Sequence, residues 1–128
     1  MTEPTRNAPT PSASEFLGPL RIHLERGQRA YETYCERGRT FFFARLLRQN
    51  NESIRKGIIE RGHYLPYGIQ PHAAALLHHI DVWSAQWDAL AERVDPGPDD
   101  EFVFASAVPF PRSDVDAMMA YYRDIAPE

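Results

Sequence analysis

The sequence predicts an all-α fold, a small helical bundle of about four helices. Three observations point there. Apolar residues recur at steps of three or four over long stretches, the spacing that places them on one face of a helix. Proline and glycine fall in clusters that divide those stretches, at 62–71 and at 96–98. Only Phe102-Val103-Phe104-Ala105 alternates as a strand does, and one strand cannot make a sheet. With 128 residues, 43% apolar and 25% charged, the chain has the size and composition of one globular domain.

Residues 1–13 carry Pro4, Pro9 and Pro11 and no apolar run. They are expected to form a flexible leader without an export signal, ahead of a single helical domain at 14–128. The first helix is expected at 19–49, with Pro19 at its first position, where the missing N–H costs nothing. Leu20, Leu24, Gly27, Tyr31, Tyr34, Gly38, Phe42 and Leu46 then mark one face. Gly27 and Gly38 lie on that face, so another backbone or a ring should approach closely there. The periodicity runs on through Leu47, Asn50, Ile54 and Ile58. One helix over 19–61 would be about 60 Å long, unusual for so short a chain. A buried Asn50 would also need a hydrogen-bond partner. Both considerations favour a break at Asn50-Asn51 and a second helix at 51–61, with Gly62 as its C-terminal cap.

The loop at 62–70 is expected to fold its rings onto the bundle. A third helix is expected at 71–94, started by Pro71 and ended by Pro96-Gly97-Pro98, with Ala73, Leu76, Ile80, Trp83, Trp87, Leu90 and Val94 as a seam. The segment near 101–105 should lie extended across the helices with Phe102 and Phe104 inward, or pair with another chain. A last helix at 114–125 begins at a capping-box-like Ser113 and Asp116 and buries Val115, Met118, Met119, Tyr122 and Ile125 on one face.

Charge is uneven along the chain. Residues 1–63 hold 11 basic and 7 acidic side chains, whereas residues 64–128 hold 3 and 11. Lys56 is the single lysine among 14 basic residues. Arginine suits bidentate contacts to carboxylate or phosphate, although GC-rich codon usage accounts for the bias more simply. Arg45, Arg48, Arg55 and Lys56 are the candidates for contact with a partner on the basic side, and Phe102 and Phe104 on the acidic side. Nucleic-acid binding by the 37–61 segment is a weaker alternative, because the whole chain is acidic and matches no nucleic-acid module.

Chemistry is hard to place. There is no phosphate loop, nucleophile elbow or zinc-ligand spacing. His78 and Asp81 stand three apart on one helix and are weak candidates for a metal site, but no further ligand joins them. Glu60 and His63 form one Glu-x-x-His pair where a di-iron bundle needs two. Cys35 forms no intrachain disulfide, suits a reducing compartment, and reads as a packed thiol. No cofactor, metal or membrane span is therefore expected, and the chain reads as cytoplasmic. The expected role is a non-catalytic interaction module that binds a protein partner or itself, as a homodimer or within a larger assembly. The alternative is a histidine-containing ligand-binding or metal-binding bundle, or an enzyme. Stoichiometric metal in the purified protein would favour that alternative.

Overall fold

The computed structural model describes residues 12–126. They form four α-helices, α1 (Ser14–Glu36), α2 (Phe41–Arg61), α3 (Gln70–Val94) and α4 (Arg112–Ile125), with one 3-10 turn at Gly62–Tyr64. No sheet occurs among the described residues; the single β-bridge joins Thr40 to Glu101. No described helix is long and apolar enough to cross a membrane. Most of the leader expected at 1–13 lies outside the described residues, but Ala13 is buried in the core.

The first break is not where the sequence reading puts it. Asn50 and Asn51 lie inside α2, and the chain reverses at Arg37–Thr40 instead. Gly38 is no helix-interior notch. It has φ +82°, followed by Arg39 at φ +55°, and the Arg39 N–H donates to the Tyr34 carbonyl at 2.8 Å. That bond is the six-to-one closure of a glycine-ended helix. A close approach occurs at Gly27, but by the Asn50 side-chain amide rather than by a backbone or a ring. A Cβ built there would stand 2.5 Å from Asn50 Nδ2. Asn50, 4% exposed, donates from Nδ2 to the His23 carbonyl at 3.0 Å and accepts from Arg26 Nε at 2.6 Å. A partner helix therefore satisfies the asparagine that seemed to require a break.

The other boundaries shift less. α1 begins at Ser14 and carries Pro19 within it. α3 starts at Gln70, with Pro71 in its first turn. α4 starts at Arg112, and neither Ser113 nor Asp116 caps it with a side chain. Asp114 instead meets His72 of α3, Nδ1 to Oδ1 at 2.9 Å. In the connecting loop, Tyr64 packs on the core, whereas Tyr67 is 90% exposed.

The helices pack in a ring. α1 lies against α2 and α4, and α3 lies against α2 and α4. Two cores result. The first, at the end where α1 and α3 begin, contains Phe16, Leu17, Leu20, Ile54, Ile58, Leu76, Ile80, Val115 and Met118. The second, at the opposite end, contains Tyr34, Ala44, Trp87 and Phe102, with Phe41, Trp83 and Phe104 packed on them. α4, with 14 residues, is about 21 Å long at 1.5 Å per residue, against about 38 Å for the 25 residues of α3. It covers one end of the bundle. The other end is covered by an extended strap, residues 101–111.

Candidate functional site

The strap has no sheet partner, so its backbone polar groups must be satisfied one at a time. The loop leading into it caps α2: Phe41 and Phe42 N–H groups donate to the Asp100 and Pro98 carbonyls at 2.8 and 2.9 Å. Phe102 N–H donates to the Arg39 carbonyl, and the Tyr34 hydroxyl donates to the Phe102 carbonyl. Gln86 of α3 grips the strap from both sides of its amide. It donates to the Ala105 carbonyl at 3.1 Å and accepts from Ala107 N–H at 2.8 Å. His79 holds the Val108 carbonyl at 2.7 Å.

Beneath the strap lies a half-open cleft of about 500 Å³, between the two cores. α1 contributes Leu24, Gly27, Tyr31 and Tyr34 to its wall, and α2 contributes Leu47, Asn50 and Ile54. α3 adds Leu76, His79, Ile80, Trp83 and Trp87, and the strap adds Phe102, Phe104 and Phe110. The rings form a continuous surface. Trp87 and Phe102 centroids are 5.0 Å apart, and Trp83 and Phe104 centroids are 5.7 Å apart. Polar side chains interrupt it at Gln28, Arg39, Asn50, Asn51, His79, Ser106 and Arg112. Asn50 makes one hydrogen bond through each end of its amide. Burial pushes the Tyr34 phenol above its ordinary pKa, against the opposing charge of Arg39. The Val108 carbonyl can only accept, so His79 Nδ1 carries a proton toward it. His79 meets Phe110 edge to face at 5.6 Å.

The site residues read from the sequence separate into distinct places. Phe102 is 2% exposed and offers no outer surface, and Phe104 is packed against Trp83 in the cleft wall. Within this chain both rings face inward, Phe102 onto Trp87 and Phe104 onto Trp83, and Phe104 stays partly exposed. Arg48 is committed within the molecule. Its Nε and Nη2 donate to the two Asp88 oxygens at 2.9 Å each, and Nη1 reaches Glu52 at 3.3 Å. Arg55 Nε donates to Asp81 at 2.8 Å. These two arginines staple α2 to α3 and would have to release carboxylates before meeting a phosphate. Arg45 stands 5.6 Å from the ring centres of both Phe41 and Phe42 and is exposed.

Lys56 borders a second, shallower groove of about 400 Å³ between α1 and α2, with Glu15, His23, Glu60 and Arg61. Burial, and then the charge of Arg26, lower the His23 pKa, and His23 Nδ1 is buried without a partner among the described residues. Asp81 pairs with Arg55 rather than with His78, and no group of three potential metal ligands occurs among the described residues. Cys35 is half-buried beside the aromatic core.

Sequence reasoning missed the cleft itself. The aromatic residues at 83, 87, 102 and 104 were its only signal, and they read equally well as core. Comparison with protein-family models, curated proteins and solved structures gives no match.

Proposed function

We propose that the chain is a binding protein for a small apolar molecule, held in the cleft between α1, α2, α3 and the strap. One observation carries this reading: a concavity of about 500 Å³ whose wall is mostly aromatic and aliphatic. Ligand sites of drug-sized compounds occupy about 300–1,000 Å³ and share that lining. A fused bicyclic compound would fit it. The strap supports the reading because side-chain bonds hold it in place and those bonds can open singly. The single half-buried Cys35 suits the reducing cytoplasm as the setting.

The test is calorimetric titration of the full chain with naphthylmethanol, followed in parallel by the fluorescence of Trp83 and Trp87. Saturable one-to-one binding is expected, and Leu24→Phe, which fills part of the cleft, should weaken it at least tenfold. A response that never saturates would remove the reading.

A second reading, self-association or docking to a protein partner, is supported by a different observation. Phe42 and Leu46, one turn apart on α2, are 45% and 39% exposed on either side of Arg45. Sedimentation of the wild type and of Leu46→Glu separates the two readings. A dimer dispersed by Leu46→Glu would favour association, and a monomer at all concentrations would exclude the homodimer.

A further inference from the structure

We infer that the ligand of the cleft is an apolar carboxylic acid bound as its anion, an inference that rests on the ligand-binding reading above. The chain carries 18 acidic and 14 basic side chains, yet not one aspartate or glutamate lines the cleft. Its charged lining consists of two guanidinium groups, Arg39 and Arg112. Arg48 and Arg55, outside the cleft, are spent on carboxylates. Neither Arg39 nor Arg112 makes an ion pair among the described residues.

Both free arginines are solvent-exposed members of the lining. The Arg112 guanidinium lies 5.4 Å from the Phe110 centroid, and the charge of Arg39 acts on the Tyr34 phenol. Glu101 also acts on Tyr34, but it stands outside the lining. Cations set against a low-dielectric wall concentrate their field on whatever enters, so an anion is attracted and a cation repelled. The planar guanidinium fork matches a carboxylate with two parallel hydrogen bonds. No glycine-rich cradle of backbone N–H groups is present in the lining to receive a phosphate. The remainder of the wall, Trp83, Trp87, Phe102 and Phe104, takes the apolar body against flat ring faces.

The experiment compares four probes on the same fused-ring body in the full-length chain: naphthoate, naphthylmethanol, naphthylmethylamine and naphthyl phosphate, each at low and at high salt. Naphthoate should bind at least tenfold more tightly than the alcohol, with the amine weakest. The advantage of the anion should shrink as salt rises. Arg39→Gln or Arg112→Gln, whichever end seats the carboxylate, should bring the naphthoate-to-alcohol ratio close to one. Arg93→Gln, on α3 outside the cleft, should leave that ratio as it is. The inference is overturned if naphthoate binds no better than the alcohol, if the ratio survives both arginine changes, or if the phosphate outranks the carboxylate. In each of those outcomes the alcohol still binds and the ligand-binding reading stands. If no probe binds, that reading itself fails.

Discussion

At the end of the bundle where α1 begins, the core is mostly leucine, isoleucine and methionine, with Phe16 among them, and is sealed by a helix, α4. At the end where α1 stops, it is built of tyrosine, tryptophan and phenylalanine and is sealed by the strap. The difference has a backbone origin. A helix satisfies its own N–H and C=O groups and can lie flat on a core with side chains interdigitated. An isolated extended segment must take its partners from the surface beneath, and here Tyr34, His79 and Gln86 supply them. Those contacts fix the strap at points rather than along a face. Flexible aliphatic side chains can fill irregular gaps, whereas flat rings held at fixed angles leave space between them. The larger concavity lies under the strap, while the α4 end keeps an open groove between α1 and α2.

The largest expected effect sets the two ends directly against each other. Leu17 is fully buried at the α4 end. Leu17→Ala should cost about 2–5 kcal/mol in urea unfolding, because the void it opens is new. Phe104→Ala removes a larger side chain from a wall that already borders empty space. It should cost less than Leu17→Ala; an equal or greater loss would break the comparison.

A pair of glycines on α1 and α2 sharpens it at the junction. Gly27→Ala drives a methyl group into Asn50, whose amide is fixed by two hydrogen bonds and has nowhere to turn. A loss of about 1–3 kcal/mol is expected, against the helix propensity of alanine. Gly57→Ala meets nothing within 4 Å and should instead gain about 0.5–1 kcal/mol. Unfolding midpoints of the two variants should move in opposite directions.

Gln86→Ala separates the strap from the bundle. Two hydrogen bonds are lost, each worth about 0.5–1.5 kcal/mol. Hydrogen exchange at Ala107 and its neighbours should accelerate while exchange at Leu17 and Met118 stays slow. Uniform acceleration across both ends would mean that they open together.

The smallest effect is electrostatic and concerns α2 against α3. Hydrogen bonding to Arg48 holds the Asp88 carboxyl below its ordinary pKa, with the guanidinium charge adding to it. A lowered carboxylate pKa adds stability that is present above the ordinary value and lost as pH falls through the lowered one. Asp88 is largely exposed, so solvent reduces the contribution to under about 1 kcal/mol. Asp88→Asn should flatten the acid limb of the stability curve by that amount.

Much of the architecture was legible along the chain. The helical class, the span of α3 and the burial of Val115 and Met118 on α4 follow from apolar spacing and from the proline clusters, which are local properties of one segment; Ile125, expected on the same face, is exposed. The position of the first break was not. Gly38 and Asn50 both interrupt an otherwise regular stripe, and each could be a helix end or an interior residue. Gly38 became the end because the chain there adopts positive φ, and Asn50 became interior because α1 offers it a carbonyl and a guanidinium. The pairing of Arg48 with Asp88 and of Arg55 with Asp81 depends on which helix lies beside α2. The same holds for the cleft, and for the choice of Arg39 and Arg112 as its charged lining. The sequence by itself determined which residues form helices and which faces they bury, because periodicity belongs to one segment. Only the packing of α1, α2, α3 and the strap decided where space remained and which charges border it, because a void has walls from several segments and is written in none of them.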